Sequence, residues 1–421
     1  MRWPGDRLKV LFLTPQLPYP PHQGTSIRNY HLLVHLARRH RVSLCSFLAQ
    51  PLDATDLGPL RDLCEAVEGE PQPERGLLER AWTTLTSPLP DMALRLASPA
   101  FHRRLAAWLA RETFDVVEVE GIEMARYLQQ VVDARQEGGP AVVFDDHNAE
   151  YLLQQRAFAT DRRHPRRWLA AAYSFVQWRK LRRYEALTCR LADRVIAVSE
   201  ADARALQRLV PGLRPLVVPN GVDVEAYRTY TTPPDFPPLR QPALVFTGKM
   251  DFRPNVDGVL WFWQEVWPLI RDRAPEAQFY VVGQRPHPRL SPLRGDPTVT
   301  VTGFVPDVRP YIAHAAVYVI PLRIGGGTRL KVLEAMAMAR AIVSTSLGCE
   351  GFPLRPGEHL LVADTPSAFA EAVLALLEDA PRRQALGAAA QAFAAARYDW
   401  AALVPCLEEA LWEAAQERGR G

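Results

Sequence analysis

A chain of 421 residues with 48% hydrophobic content can bury two or three cores at about 100 to 200 residues per domain, and two is the working number. Charged residues make up 23% and the formal net charge is +3, which excludes a strong global field and gives no pointer to nucleic acid. The five cysteines are odd in number and scattered, which excludes a disulfide framework or a paired-cysteine zinc site, and no apolar run approaches the roughly 18 residues of a membrane span.

In chain order, "KVLFLT" (Lys9 to Thr14) reads as a buried strand. Its apolar part, Val10 to Leu13, is too short for the core of a signal peptide, so a soluble, cytoplasmic chain is expected. "SIRNYHLLVHLARRH" then reads as an amphipathic helix with Tyr30, Leu33, Val34, Leu36 and Ala37 inward. "RVSLCSFL", "DVVEVE", "AVVFDDH" and "DRVIAVS" follow as strands, the last three ending in polar residues. Polar residues at the carboxyl ends of parallel strands face the ligand crevice of an open α/β sheet. This series predicts a first domain over residues 1–218.

Within it, "DRRHPRRWLAAAYSFVQWRKLRRYE" carries eight Arg and Lys, with Trp168, Ala172, Phe175 and Trp178 at helical spacing. Two readings stay open. Residues 162–183 could lie on an anionic membrane surface or a lipid-diphosphate acceptor, or the helix could be Arg-coated with its aromatics facing its own core. Single-stranded nucleic acid is not expected, because the cations cluster instead of tracking a groove.

"NGVDVEAYRTYTTPPDFPPLRQP", with five prolines, predicts a linker over 219–242. "ALVFTG", "QFYVVG", "TVTVTG", "VYVIPL" and "AIVSTS" predict a second parallel sheet in a domain over 243–398. Asp399 is the expected cap of a last helix, 399–421, that rejoins the first domain.

The junction of the last two strands, "IGGGTRLKVLEAMAMARAIVSTS", is a βαβ unit with Gly325, Gly326 and Gly327 at the helix entry and Thr328 as candidate N-cap. Glycines admit a ligand to backbone N–H groups, and a helix N-terminus favours an anion, so the site suits a phosphate. Arg329 and Lys331 in the first turn oppose the helix dipole unless an anion lies between them. A Walker A string is absent, and Leu330 stands where a dinucleotide fingerprint needs its third glycine. Glu334 sits in a helix otherwise apolar nearly all round. Its carboxylate needs a hydrogen-bond partner, either a ribose diol or an internal pair with Lys331 or Arg329.

Taken in order, "PQLPYPPHQGTSIRNYHLL", "FDDHNAEY", "RVIAVSEADARAL", "VVPNGVDVEAY", "VFTGKMDFRPNVDGVLWF", "VTGFVPDVRPYIAHAAVYVIPL" and "GGGTRLKVLEAMA" resemble the GT-B glycosyltransferases of family 4 over nearly the whole chain. "DVVEVEGIEMARYL" and "GKMDFRPNVDG" are similar to sugar transferases of bacterial exopolysaccharide and PEP-CTERM gene clusters. The resemblance implies an α/β GT-B fold, two Rossmann-like doubly wound domains facing a central cleft. It implies retaining transfer of a sugar from a nucleotide-diphosphate sugar (UDP- or GDP-linked) to a glycan or lipid-linked acceptor, with no cofactor and no metal. The nucleotide is then expected on the C-terminal domain and the acceptor on the N-terminal one.

Carried over residue by residue, Glu334 matches the second glutamate of the family's E-x7-E motif, on the donor ribose. Lys249 stands where the family has an arginine on the diphosphate, and Gly24 matches the loop glycine near the phosphates. His147 matches the histidine lining the reaction centre, and Phe304 and Val305 match the segment that touches the nucleobase. Two positions depart from the pattern. Gly326 replaces the first glutamate of the motif, and Asn255 stands nearest the usual second cation. Arg329 and Lys331 are expected to supply the missing positive charge at the leaving diphosphate.

"DD" at Asp145 and Asp146 is not a D-x-D motif, and no cluster shows metal spacing. The resemblance implies internal return, which this inventory fits, with His147 orienting a hydroxyl and Lys249 and Arg329 at the diphosphate. His147 as an N-cap or core residue, and Lys249 as a solvated lysine, remain the plainer readings. A catalytically silent GT-B protein binding nucleotide or glycan is the alternative function. A nucleotide-sugar epimerase is a further one, which Gly326 argues against.

Overall fold

The computed structural model describes residues 7–21, 24–49, 57–135, 139–162, 167–325 and 329–419. They fall into two units, Met1–Pro219 with Leu403–Gly421, and Asn220–Ala402.

The first unit contains β1 (Lys9–Thr14), β2 (Arg41–Leu48), β3 (Ala66–Pro71), β4 (Val116–Glu120), β5 (Ala141–Asp146), β6 (Arg194–Ala197) and β7 (Leu216–Val217). They pair in the order β3-β2-β1-β4-β5-β6-β7, and each of these pairings is parallel. The second contains β8 (Ala243–Thr247), β9 (Gln278–Val282), β10 (Val299–Gly303), β11 (Val317–Ile320), β12 (Ile342–Ser344) and β13 (Leu361–Val362). Their order is β10-β9-β8-β11-β12-β13, again parallel. Strands covered by helices on both faces need unbroken apolar runs, and Val10, Leu11, Phe12 and Leu13 of β1 and Leu244, Val245 and Phe246 of β8 are fully buried.

Each strand order reverses once, between β1 and β4 and between β8 and β11. In a doubly wound sheet this switch point opens a crevice at the carboxyl ends of the strands, where ligands bind. Both units are thus Rossmann-like, and each has such a point.

The structure revises the sequence reading in several places. From Asn220 on, the segment expected to be a linker belongs to the second unit. Val222 and Val224 are buried in its core, and a short helix, Val224–Arg228, starts there with Asp223 accepting from Ala226 N at 2.9 Å. The packed part precedes the prolines, of which Pro233, Pro234, Pro237 and Pro238 are exposed. The last helix runs from Trp400 to Gly419, and Asp399 caps it by accepting from Ala401 N at 2.8 Å. From Leu403 on it is part of the first unit, where Glu408 accepts from Arg39 at 2.7 Å and contacts His40 at 3.1 Å.

At the head of the second sheet, Gly248 and Gly283 meet backbone to backbone. Gly248 N donates to Val282 O at 2.9 Å, and a Cβ built on Gly283 (φ +149°) would stand 1.7 Å from Gly248 O.

Candidate functional site

The second unit's switch point gathers a small polar cluster. β8 ends at Thr247 and turns through Gly248 (φ +154°) into Lys249. The helix Arg253–Trp261 follows and buries Asn255 in its first turn. On the other side of the switch point, β11 leads to the helix Leu330–Ala337, which carries Lys331 and Glu334. Lys331 Nζ donates to Asn255 Oδ1 at 2.9 Å and lies 3.9 Å from the centroid of the Phe246 ring. Asn255 Nδ2 donates to Lys249 O at 2.8 Å. A Cβ on Gly248 would be 2.8 Å from Lys331 Nζ and 2.7 Å from Asn255 Nδ2, so the turn must be glycine for the amine to sit there.

Burial pushes the Lys331 amine down to about 7, opposed by Glu334 and reinforced by Arg329. Burial likewise raises the Glu334 carboxyl, against the pull of Lys331 and a hydrogen bond from Tyr227. That bond, Tyr227 OH to Glu334 Oε1, is 3.3 Å long. The partner expected of Lys331 for Glu334 is instead taken by Asn255. Tyr227 lies in the Pro-rich stretch that reads as a linker, so local pattern does not mark it as the partner of Glu334.

Arg329 is the N-cap residue of the helix and is nearly buried, where burial lowers its pKa against the opposing pull of Glu350. This places it before the first turn, not in it. Gly325 (φ +117°) packs on it, a Cβ there falling 3.1 Å from Arg329 Nη2. Gly326, Gly327 and the proposed cap Thr328 lie outside the described residues. Lys249 joins the cluster only through its carbonyl, since its ammonium is half exposed, 3.8 Å from Asp251. Phe304 is 72% exposed at the end of β10, whereas Val305 packs on the core.

The first unit's switch point holds a second cluster. Gly24 opens the helix Gly24–Ala37, whose Arg28 is buried and grips Asp145 Oδ2 through Nε at 3.0 Å and Nη2 at 2.6 Å. His147, just past β5, contacts Glu120 Oε2 at 2.8 Å through Nε2. The next helix, Glu150–Asp161, has Ala149 at its N-cap, so His147 is not its cap. The helix entry is capped from afar instead, Glu185 accepting from Glu150 N at 2.8 Å and Tyr151 N at 2.9 Å.

Burial disfavours the His147 cation, but the hydrogen bond and charge of Glu120, with Asp145, outweigh it and raise the pKa. Two residues upstream on β4, Glu118 is fully buried and neither of its carboxyl oxygens meets a hydrogen-bond partner. Burial first, then Glu120 and Asp145, hold that carboxyl well above its usual range.

Ligand atoms of Glu120, Asp145 and His147 lie within 4.8 Å of one another, a grouping spacing alone could not show because β4 and β5 supply it. Arg28 grips Asp145 Oδ2 and His147 contacts Glu120 Oε2, while the buried Asp145 Oδ1 and Glu120 Oε1 have no hydrogen-bond partner among the described residues.

Glu120→Gln is expected to lower the His147 midpoint, read by its imidazole NMR signals; an unchanged midpoint would refute the pairing. Because the folded pKa is raised, the pair stabilises the fold below the unfolded value of about 6.5 and is lost as pH rises through the folded value.

The basic helix runs over Trp168–Leu191; residues 163–166 before it lie outside the described residues. Trp178 stacks on Phe158 at 6.1 Å and Phe175 lies 5.3 Å from the same ring, while Trp168 is 65% exposed.

Comparison with known proteins gives the family. The profile described as "Glycosyltransferase Family 4" matches residues 22–226, and that described as "Glycosyl transferases group 1" matches residues 241–379. A phosphatidyl-myo-inositol mannosyltransferase of Mycobacterium tuberculosis is 31% identical over 218 residues, 49% of this chain and 55% of that one. The chain thus spans about half the length of the curated relatives it first matches. Among solved structures, HepE of Anabaena in complex with UDP aligns with a TM-score of 0.66 at 16% identity, over 96% of this chain and 100% of that one. Sucrose-phosphate synthase of Thermosynechococcus elongatus aligns with a TM-score of 0.69 at 17% identity, over 97% and 99%. At such identities the likeness carries the fold.

Proposed function

Because the chain belongs to the family 4 glycosyltransferases and has their GT-B fold, we propose that it moves a sugar from a nucleotide-diphosphate sugar to a glycan or lipid-linked acceptor. The carrying observation is the Lys331 amine on Asn255, held by a glycine turn at the second sheet's switch point. Asn255 stands where the family has a cation, and its amide oxygen receives one from the opposite helix. The positive charge is relocated, not lost.

On this reading Lys331, Arg329 and Lys249 neutralise the departing diphosphate, and neither metal nor cofactor takes part. Glu334, steadied by Tyr227, accepts from the donor ribose, and Phe304 and Val305 meet the base. The anomeric C–O bond to the diphosphate breaks with its electron pair going to the diphosphate. The acceptor oxygen bonds the same face of that carbon and its proton passes to a diphosphate oxygen, so configuration is retained. His147, fixed by Glu120, orients the sugar or the acceptor hydroxyl. UDP is the first donor to try, since HepE binds it, followed by GDP. Work on a polysaccharide or lipid-linked glycan at the cytoplasmic face of a membrane fits this reading.

Thermal shifts with UDP, GDP, ADP and their sugar conjugates test it on wild type and Glu334→Ala. One nucleotide should stabilise the wild type by about 2.7 kcal/mol at a hundredfold excess over its Kd, and the variant should lose most of that shift. No stabilisation by any nucleotide would refute the donor site. Stabilisation without turnover of any conjugate would favour a silent nucleotide-binding protein, and conversion of the conjugate itself an epimerase.

A further inference from the structure

The crossover helix after β8 is irregular at the end remote from Asn255. Arg253–Trp261 runs into a π turn, Phe262–Val266, and on through Trp267–Arg273. The cause is Pro268, whose ring would strike the carbonyl four residues back in a regular helix and which has no N–H to offer it. The wider turn makes room for the ring, and Trp267 N donates to Phe262 O, five residues back. Neither Trp263 O nor Gln264 O then receives its usual helical donor.

Trp263 and Gln264 line a hollow of about 390 Å³ together with Trp267, Pro268, Arg271 and Asp296. Both indoles are pinned by their edges to one turn. Trp263 Nε1 donates to Asp296 Oδ2 at 3.0 Å and Trp267 Nε1 to Thr298 Oγ1 at 3.1 Å, while Thr298 Oγ1 and N donate to Asp296 Oδ1 at 2.6 and 3.0 Å. Trp267 is buried against Phe262 and Phe279 and forms the floor, whereas Trp263 is half-buried and forms a wall. Arg271 stands one helical turn beyond Trp267. It is half-buried, makes no hydrogen bond or ion pair among the described residues, and has its Nε shut away from solvent without a partner. A guanidinium in that position, with five donors, is ordinarily engaged.

The hollow lies away from the crevice. Thr298 leads into the amino end of β10, and the helix ends at Arg273 before the amino end of β9. Ligands of the switch point bind at the carboxyl ends, roughly 16 Å away along strands of five residues.

We propose that this hollow is a second saccharide site, which stacks one pyranose ring of a glycan chain on Trp263 and hydrogen-bonds the hydroxyls or a carboxylate of that ring to Arg271. A pyranose has a face of C–H groups and a rim of hydroxyls that both donate and accept. The C–H face suits the negative face of an indole, and the rim suits Arg271 as donor with Asp296 and the carbonyls left over by the π turn as acceptors. A purely apolar ligand would leave the guanidinium unpaired, and a bare anion has no use for the indole. The site goes beyond the transfer reaction, and if the acceptor is a glycan as proposed above, a chain held here returns its free end to the crevice at raised effective concentration.

The test is titration calorimetry of the full chain with maltohexaose, cellohexaose, mannohexaose, chitohexaose and an alginate hexamer. Wild type should bind at least one of them with a submillimolar Kd, and Trp263→Ala and Arg271→Gln should each weaken that binding about tenfold. Neither UDP nor Glu334→Ala should change it. If losing the bond to Asp296 lowers the Tm of Trp263→Ala, Arg271→Gln decides, since Arg271 has no partner to lose. Binding of a neutral hexamer supports the site with Arg271 on hydroxyls, and binding of the alginate hexamer alone supports it with Arg271 on a ring carboxylate. No binding of any hexamer, binding that Arg271→Gln leaves unchanged, or binding that UDP displaces or Glu334→Ala abolishes would overturn the proposal. Because no turnover is read, the donor site and this one can fail separately.

Discussion

Gly283→Ala is expected to destabilise the second unit strongly and to lower its urea midpoint. The added Cβ would stand 1.7 Å from Gly248 O and 2.8 Å from Gly248 C. Both are backbone atoms, so no rotamer change can relieve the clash. Gly248 cannot retreat either, because its N–H is bonded to Val282 O and its own turn is crowded by Asn255 and Lys331. Moreover, φ +149° at Gly283 is a conformation an L side chain resists. The expected loss is on the order of 4 kcal/mol or more, a large part of the 5–15 kcal/mol of a typical domain. Urea unfolding followed by far-UV dichroism measures it, with Gly295→Ala as control, since a Cβ there meets nothing within 4 Å. A midpoint unchanged in Gly283→Ala would refute the packing described.

Lys331→Met is expected to lower affinity for a nucleoside diphosphate by about 10- to 100-fold, the range for losing one charge-assisted hydrogen bond. The methionine keeps the apolar stem over Phe246 and removes the charge. The wild type should also bind with proton uptake. Burial holds the free amine at about 7, and a bound diphosphate favours the ammonium, so affinity should fall as pH rises above about 7. In the ligand-free protein the sign is opposite. A folded pKa depressed below the usual value of about 10.4 means stability rises with pH between about 7 and 10. Titration calorimetry in two buffers of different ionisation enthalpy reads the proton count directly. Equal affinity of Lys331→Met and wild type, or no proton uptake, would remove Lys331 from the diphosphate site.

Much of the scaffold was legible because buried parallel strands advertise themselves as apolar runs. "KVLFLT" and "RVSLCSFL" became β1 and β2 over the same residues. β3, "AVEGEP", was not legible: it is a half-buried edge strand whose Glu68 and Glu70 are held by Arg104, a partner more than 30 residues away. β7 and β13 have only two residues each, too few for any periodicity. The site divided in the same manner. Glu334 stood out as one carboxylate in an apolar helix, but its partner Tyr227 is 107 residues distant, and Asn255 is 76 from Lys331. Such pairs are made by strand order, which local patterns do not encode. Helix Leu77–Thr86 shows the converse, since amphipathic spacing would have turned its leucines inward, whereas Leu77, Leu78 and Leu85 are exposed.

The division of the first unit has a bearing on synthesis. Its sheet is encoded before residue 220, yet the helical segment from Leu403, whose Leu407, Leu411 and Ala414 are buried, is translated only after the whole second unit. On the ribosome, where domains fold as they emerge, the second unit can therefore finish while the first still waits for its last helix. Arg39 and the Nε2 of His40, which Glu408 later engages, lack that carboxylate during the interval, although His40 Nδ1 can already accept from Leu8 N. The nascent chain thus completes its middle before its beginning.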